Sequence, residues 1–368
     1  MKEGWNIRNF EKCLVKVPKQ KSIKSKNYLQ FGSFPIISQE SIIVSGYSND
    51  ETLLYKHNKP VVIFGDHTKN IKYIDFDFIV GADGVHILLT KDDILPKFFY
   101  YELCSINIRN LGYARHYKLL KEKNIMYPTS LLDQQRIVSY LDAEFAKIEA
   151  LKANAEKQFQ AAKDLFQAAL KELLTPKEGW VEKKIKDVGE VIGGTTPNTN
   201  VPEFWNGNNC WISPAELKGS HYLYDSVKKI TDLAIKKKNL KLLPVGTVIL
   251  SSRAPIGKVV INKVPTYCNQ GFKCVVCKND LYNEFLYWFF YGNTDYLNSL
   301  GTGATFPEIS KGTVENIPIN YPPISEQQRI ADRLDALSAN VKALQTNYTE
   351  TITLCNDLKQ ALLKKVFE

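Results

Sequence analysis

The sequence predicts an α+β chain built as a cyclic repeat of two: two globular segments separated by a pair of long, antiparallel, coiled-coil-like helices, with an approximate two-fold relation between the halves. Three observations carry this. Residues 131–174 return as residues 324–367 at a constant offset of 193, with 17 identities in the 41 ungapped positions from Gln134 to Leu174. Lys-Glu-Gly-Trp opens the chain at Lys2–Trp5 and returns at Lys177–Trp180. Each globular segment also passes through β-rich runs and then an aromatic helical run in the same order. The resulting division is 1–128 for the first head, 129–176 for the first helix, 177–322 for the second head and 323–368 for the second helix.

The first head alternates short β-rich runs with turn residues. Ile42–Val44, Val61–Phe64, Ile74–Val80 and Val85–Leu89 read as strands, with Gly65-Asp66-His67-Thr68 and Gly81-Ala82-Asp83-Gly84 as reversals between them. Helical patterning follows at Asp92–Ser105 and again toward Leu111. In the second head, Val248–Arg253 and Gly257–Ile261 stand in for the central strands, and Phe285–Phe290 echoes Phe98–Tyr101.

The two helices contain no Gly or Pro, and strong helix formers dominate them. In the second, Leu334, Val341, Tyr348, Cys355 and Leu362 form one heptad line; Ile330, Leu337, Leu344 and Leu358 form the other, interrupted by Thr351. The first keeps the period with smaller residues: Leu141, Ile148, Ala155, Ala162 and Ala169 beside Phe145, Phe159, Phe166 and Leu173, with Lys152 breaking the row. Small on one helix and large on the other suits interdigitation, so the helices are expected to pair with each other. The two ends of an intervening domain usually lie close together, which makes the pair antiparallel.

Composition fits an ordered protein with enough apolar residues for two cores. No run approaches a membrane span and the start lacks the apolar stretch of a signal peptide, so a cytoplasmic location is expected. Seven scattered cysteines fit reduced thiols, and Cys274 and Cys277 lack a second ligand pair at zinc spacing, so no metal is expected. A net charge of +9 suggests a polyanionic partner without identifying it.

Catalytic residues do not emerge. Pro255-Ile256-Gly257-Lys258 lacks the upstream glycine of a phosphate loop, Tyr321-Pro322-Pro323-Ile324 lacks the amide and aromatic ring of an amino-methylation motif, and Gly301-Thr302-Gly303 is too short for a nucleotide fingerprint. The five histidines show no paired spacing. A binding subunit is expected rather than an enzyme.

Candidates for nucleic-acid contact combine cations with aromatics near glycine turns. In the first head these are Arg109, Tyr113, Arg115, His116, Tyr117 and Lys118; in the second, Arg253, Lys258, Asn269, Gln270, Thr302, Thr305 and Phe306. Arginine reads base edges and lysine anchors on phosphates. The alternative for each is a solvated basic loop. Lys236-Lys237-Lys238 reads as a non-specific phosphate contact or a solvated helix face.

The second half carries Ile192-Gly193-Gly194-Thr195-Thr196-Pro197, Trp211-Ile212-Ser213-Pro214, Ser251-Ser252-Arg253, Asn269-Gln270-Gly271, Gly303-Ala304-Thr305-Phe306 and the helix lead-in Pro323-Ile324-Ser325-Glu326-Gln327-Gln328-Arg329-Ile330. With two globular heads each followed by a matched helix, these motifs resemble the specificity (S) subunit, HsdS, of type I restriction-modification enzymes. The first half departs from the pattern: it lacks Gly-Gly-Thr-Thr after Trp5, and Leu131-Leu132-Asp133 replaces the usual lead-in.

The resemblance implies target-recognition domains that each read half of a bipartite double-stranded DNA site. It implies two methyltransferase (M) subunits that bind S-adenosylmethionine, restriction (R) subunits that use ATP, and no cofactor in this chain. Gln134, Gln135, Arg136 and their counterparts Gln327, Gln328 and Arg329 are expected either to contact the M subunits or to build the helix start against its own head. The competing function is a two-headed DNA-binding or adaptor protein outside restriction.

Overall fold

The computed structural model describes residues 4–82, 84–112, 114–253, 255–303 and 307–368. The long helices run unbroken over Leu131–Leu174 and Ile324–Phe367, the bounds at which the internal repeat places them. No described helix is long and apolar enough to cross a membrane.

The chain divides into two compact units, and the division falls in the middle of both helices. Residues 1–156 and 347–368 form one unit; residues 157–346 form the other. Each therefore holds one head, the first half of one long helix and the second half of the other.

Within the first unit the helix pieces run antiparallel. Lys152 Nζ donates to Asn356 Oδ1 at 2.8 Å, Lys359 pairs with Glu149 three residues earlier on the facing helix, and the Cys355 thiol lies against the Ile148 carbonyl at 4.0 Å. The same pieces are fused to the head through one apolar core, in which Val138, Leu141, Leu363 and Phe367 join Phe10, Phe64, Phe98, Phe99 and Tyr127. In the second unit Phe166, Ala169, Leu170 and Leu173 meet Ile330, Ala331 and Leu334 in a core shared with Phe285, Trp288 and Phe290.

Every heptad position named from the sequence is buried or half-buried except Leu358, which is 46% exposed. A straight α-helix drifts by about 20° per heptad against a strict seven-residue repeat. Toward the C-terminus the contact line has moved to Cys355, Lys359, Leu363 and Phe367, four residues apart, and Leu358 has rotated out.

The heads, alike only in outline by sequence, share one topology. In the first, a sheet runs Leu14–Val15, Val85–Thr90, Val61–Gly65, Ile71–Ile74; in the second, Gly189–Gly193, Phe272–Cys277, Val248–Ser251, Val259–Asn262 and then Tyr222–Leu223. A second sheet in each centres on a parallel pair, Phe34–Ile37 with Phe78–Val80 and Trp205–Ile212 with Thr266–Cys268. A two-stranded antiparallel ribbon closes each head: Trp5–Asn9 with Asn124–Pro128, and Val181–Lys184 with Pro318–Tyr321. The glycines that start the two ribbons, Gly4 and Gly179, both adopt left-handed φ (79° and 84°), which explains why glycine recurs at this place in Lys-Glu-Gly-Trp.

Four sequence expectations in the first head fail locally. Ile42–Val44 is not a strand: the ammonium of Lys72, itself 6% exposed, collects the carbonyls of Ser38, Ile42 and Ile43, and Ile42 and Ile43 face solvent. A buried cation needs acceptors, and this loop supplies them at the expense of a ladder. Ile74–Val80 is two strands in different sheets, because Asp77 and Phe76 turn the chain by bonding His57. The helix expected from Asp92 starts at Pro96, and the helical patterning expected toward Leu111 appears only at Tyr117–Lys121.

Candidate nucleic-acid interface

Each head is anchored to its long helix by the same device. The side-chain amide of Gln134 donates to the carbonyls of Asp93 and Pro128, both at 2.9 Å, and its oxygen accepts from the N–H of Leu95 at 2.8 Å. Gln327 repeats this with Asp280 (2.9 Å), Pro322 (2.8 Å) and the N–H of Tyr282 (2.8 Å). Gln134 takes the N–H of the residue before Pro96, which is why that helix begins there. A turn further on, Tyr101 donates to Asp142 and Trp288 Nε1 donates to Asp335 at 2.9 Å.

Gln134 and Gln327 are 0% exposed with both ends of the amide engaged, so neither belongs to a docking surface. Of the paired motif, Gln135, Arg136, Gln328 and Arg329 remain exposed. Beside the second anchor, His221 lies between two carboxylates, Nε2 at 2.9 Å from Glu284 and Nδ1 at 3.5 Å from Asp335, and stacks on Tyr287 at 3.7 Å. Lys263 reaches Glu284 at 3.5 Å. Lys97 and Asp142 form the simpler pair at this place in the first head. The histidine spacing in sequence gave no sign of this clamp.

In the second head the motifs scattered over more than a hundred residues converge. Ile309 donates to the Ser252 carbonyl, Thr302 and Glu308 exchange backbone bonds, and Glu308 bridges to Arg253, so Thr302, Glu308 and Ile309 are drawn to Ser251–Arg253. The Thr195 N–H bonds the carbonyl of Cys268, and Thr196 Oγ1 pairs with Gln270 Oε1. A Cβ at Gly194 would stand 2.0 Å from the Asn269 carbonyl oxygen, so only glycine permits this approach.

The hub is Glu308. Its carboxylate accepts from Arg253 Nε at 2.9 Å and faces Lys273 Nζ at 3.3 Å; Lys273 in turn donates to Ser252 Oγ at 3.1 Å. Burial opposes the charge of Glu308, yet the bonds from Arg253 and Lys273 hold its carboxyl below the usual range.

The first head builds the same cluster with two parts exchanged. There the carboxylate, Asp66, follows the central strand and the arginine, Arg115, precedes the short helix Tyr117–Lys121. Arg115 Nε lies 3.9 Å from Asp66 Oδ2, and His86 Nε2 lies 3.4 Å from the same oxygen. His86 and Lys273 are equivalent: each is the second residue of the strand beside the central one. Burial disfavours the Asp66 charge, but the Tyr117 N–H at 2.8 Å and His86 bring its carboxyl below the usual range. The cluster lines an open cleft of about 940 Å³, whose other cations are Lys16, Lys19 and Lys121.

The remaining candidates sort as follows. Arg109 and Lys118 are exposed, as are Gln270 and Thr302; Asn269 is half-buried and caps the N–H of Gly271. His116 is 0% exposed: its Nε2 accepts from the N–H of Leu111 and its Nδ1 bonds the Asp66 carbonyl, so it is a core residue, not a contact. Lys258 lies apart from the Arg253 cluster, in a cleft of about 520 Å³ with Leu217, Gly219 and Tyr291, and donates to the Leu217 carbonyl at 3.2 Å. Tyr113, Thr305 and Phe306 lie outside the described residues. Sequence reasoning missed Asp66, His86, Lys273 and Glu308. A lysine inside the apolar run Phe272–Cys277 was the available signal for one of them.

Residues 177–354 match the type I restriction modification DNA specificity domain. The MjaIX specificity subunit of Methanocaldococcus jannaschii is 43% identical over 186 residues, which is 49% of this chain but only 43% of that subunit. The EcoR124I/EcoR124II specificity subunit of Escherichia coli is 29% identical over 92% of this chain and 87% of its own length. In fold, the chain is similar to one from a solved structure on complex assembly and conformational transition of the type I R-M system, with TM-score 0.74, 20% identity and coverage of 100% and 98%. It is also similar to the HsdS subunit from Thermoanaerobacter tengcongensis, with TM-score 0.59, 19% identity and coverage of 100% and 97%. Residues 177–354 thus carry the specificity domain of type I restriction-modification systems, and over nearly its whole length the chain is similar to a specificity subunit of such a system.

Proposed function

We propose that this chain is the non-catalytic DNA-reading subunit of a cytoplasmic type I complex. Each head reads one half of a bipartite site in double-stranded DNA, and the helices set the separation of the halves. The observation that carries this is the repeated attachment beneath divergent loops: identical glutamine anchors fix each head to its helix, while the exposed arginine of each head is borne by a different loop. A shared mount with different reading surfaces suits two different half-sites.

Two M subunits dock on the frame through the exposed Gln135, Arg136, Gln328 and Arg329 and bring S-adenosylmethionine; R subunits, where present, bring ATP. In the first head Arg109, Arg115 and Lys118, and in the second Arg253, Lys258, Asn269, Gln270 and Thr302, supply the DNA-facing groups, with lysines on phosphates and arginines on bases. Helices of 44 residues span about 66 Å, which limits the half-sites to roughly 19 base pairs apart.

Co-purification followed by sequencing of modified adenines tests this. The expected result is a methyltransferase that travels with the chain and methylates a two-part site only in its presence. Incorporation of label from S-adenosylmethionine into DNA by the isolated chain would overturn the non-catalytic reading.

A further inference from the structure

The two arginine clusters share a geometry that goes beyond general basicity. In both, the carboxylate faces Nε, the nitrogen nearest the side-chain stem: Arg253 Nε to Glu308 at 2.9 Å, Arg115 Nε to Asp66 at 3.9 Å. Among the described residues Nη1 and Nη2, the two amino groups at the tip, make no bond within either cluster, and both side chains are open to solvent, 48% and 79% exposed. Arg253, held from behind by a hydrogen bond, points its paired donors outward, and Arg115 faces its carboxylate in the same sense at the longer distance of an ion pair.

The carboxylates are themselves fixed. Glu308 is tied by Lys273 and by its backbone bonds to Thr302, and Asp66, with a side chain only 5% exposed, by the Tyr117 N–H. The surrounding sheet thus fixes the carboxylate that each fork faces.

We propose that Arg253 and Arg115 each read a guanine, their tips donating to the adjacent O6 and N7 acceptors in the major groove, and that Glu308 and Asp66 are the positioning residues that aim them. This rests on the reading of the chain as a DNA-binding subunit. A base edge is favoured over a phosphate for two reasons. A phosphate, an anion approachable from many directions, needs no aimed fork, whereas the acceptor pair of guanine is directional. A carboxylate against the guanidinium also cancels much of the field that would attract a phosphate, while leaving its two donors intact for a neutral base. The exchange of carboxylate and arginine between the two loops places the fork on opposite members of the loop pair, so each head presents the same reader from a different side of its cluster.

The test uses the chain in complex with its co-purifying methyltransferase. Binding to duplexes of the mapped site is measured over a salt series, with every guanine of each half replaced in turn by 7-deazaguanine, which lacks only the N7 acceptor. For the wild type, one such replacement in each half should weaken binding by roughly tenfold to a hundredfold. Arg253→Lys keeps the charge but loses the fork. It should abolish the penalty in one half only, and Arg115→Lys in the other, with the salt slope unchanged. Glu308→Ala should relax discrimination as Arg253→Lys does without weakening non-specific binding, and Glu308→Gln, which still accepts from Nε, should restore most of it. Thermal melting of each variant complex separates loss of reading from loss of fold.

A uniform loss over all sequences with a salt slope lower by about 1 for Arg253→Ala would mean a phosphate contact and overturn the proposal. So would an undiminished penalty in the lysine variants. If the wild-type complex shows no preference for any two-part site, the functional reading itself fails, and that outcome is separate from either of these.

Discussion

Truncating Gln327 to alanine should loosen the second head from its helix more than any exposed substitution on that helix. The change removes three hydrogen bonds, to Asp280, Pro322 and Tyr282, from a side chain with 0% exposure. At about 1 kcal/mol net for each bond, the cost is about 3 kcal/mol before any cavity term. For a unit of residues 157–346, each kcal/mol lowers the melting temperature by about 2–4 °C, so the expected fall is about 6–12 °C. Gln327→Glu sharpens the reasoning. A carboxylate can accept from the Tyr282 N–H but turns a bare oxygen toward two carbonyls, so at neutral pH it should be no more stable than the alanine variant. Burial raises the pKa of such a carboxyl above its ordinary value of about 4.3. A group raised in the folded state contributes stability below its unfolded pKa, and that contribution is lost as pH rises through the folded pKa. Gln327→Glu should therefore recover relative to Gln327→Ala as the pH falls through that raised folded pKa, the recovery being complete below about 4.3. Calorimetric melting from pH 4 to pH 8 measures both. An alanine variant within about 0.5 kcal/mol of wild type, or parallel pH curves for the two variants, would refute the anchor.

Other substitutions test other elements. Leu358→Ala should change stability by less than about 0.5 kcal/mol, whereas Leu363→Ala, at a site 2% exposed, should cost about 2–5 kcal/mol; urea unfolding compares them, and equal costs would restore the strict heptad. Lys72→Met should free the loop around Ile42, seen as faster proteolysis there. Because burial lowers the Lys72 pKa, the unfolded chain binds the extra proton at alkaline pH, so the wild type should gain stability relative to the methionine variant as pH rises toward 10.5. Inserting seven residues at one matched point of each long helix adds about 10.5 Å, or about three base pairs, to the unread spacer. Mapping methylated adenines checks this, and an unchanged spacer would refute the ruler.

Much of the architecture was legible in the sequence because repetition is visible without coordinates. A constant offset of 193 gives the helices their bounds, and heptad spacing gives their shared faces. The conformation of Gly4 and Gly179 explains a motif that the sequence could only flag. Head topology was less legible: strands such as Ile71–Ile74 and Phe78–Val80 are separated by polar residues whose turn depends on His57, far off in sequence.

The sequence by itself determined the cyclic order of heads and helices and displayed the motifs of the specificity domain, since periodicity, repeat and motif are local properties of the chain. Only the tertiary structure decided which of those residues face outward. It buried Gln134, Gln327 and His116, each of which satisfies backbone groups brought beside it by folding, and it drew Asp66, His86, Lys273 and Glu308 into the two arginine clusters. The reason is physical: a polar side chain is committed by the partners within about 3 Å of it, and those partners come from strands and loops that the linear chain keeps far apart.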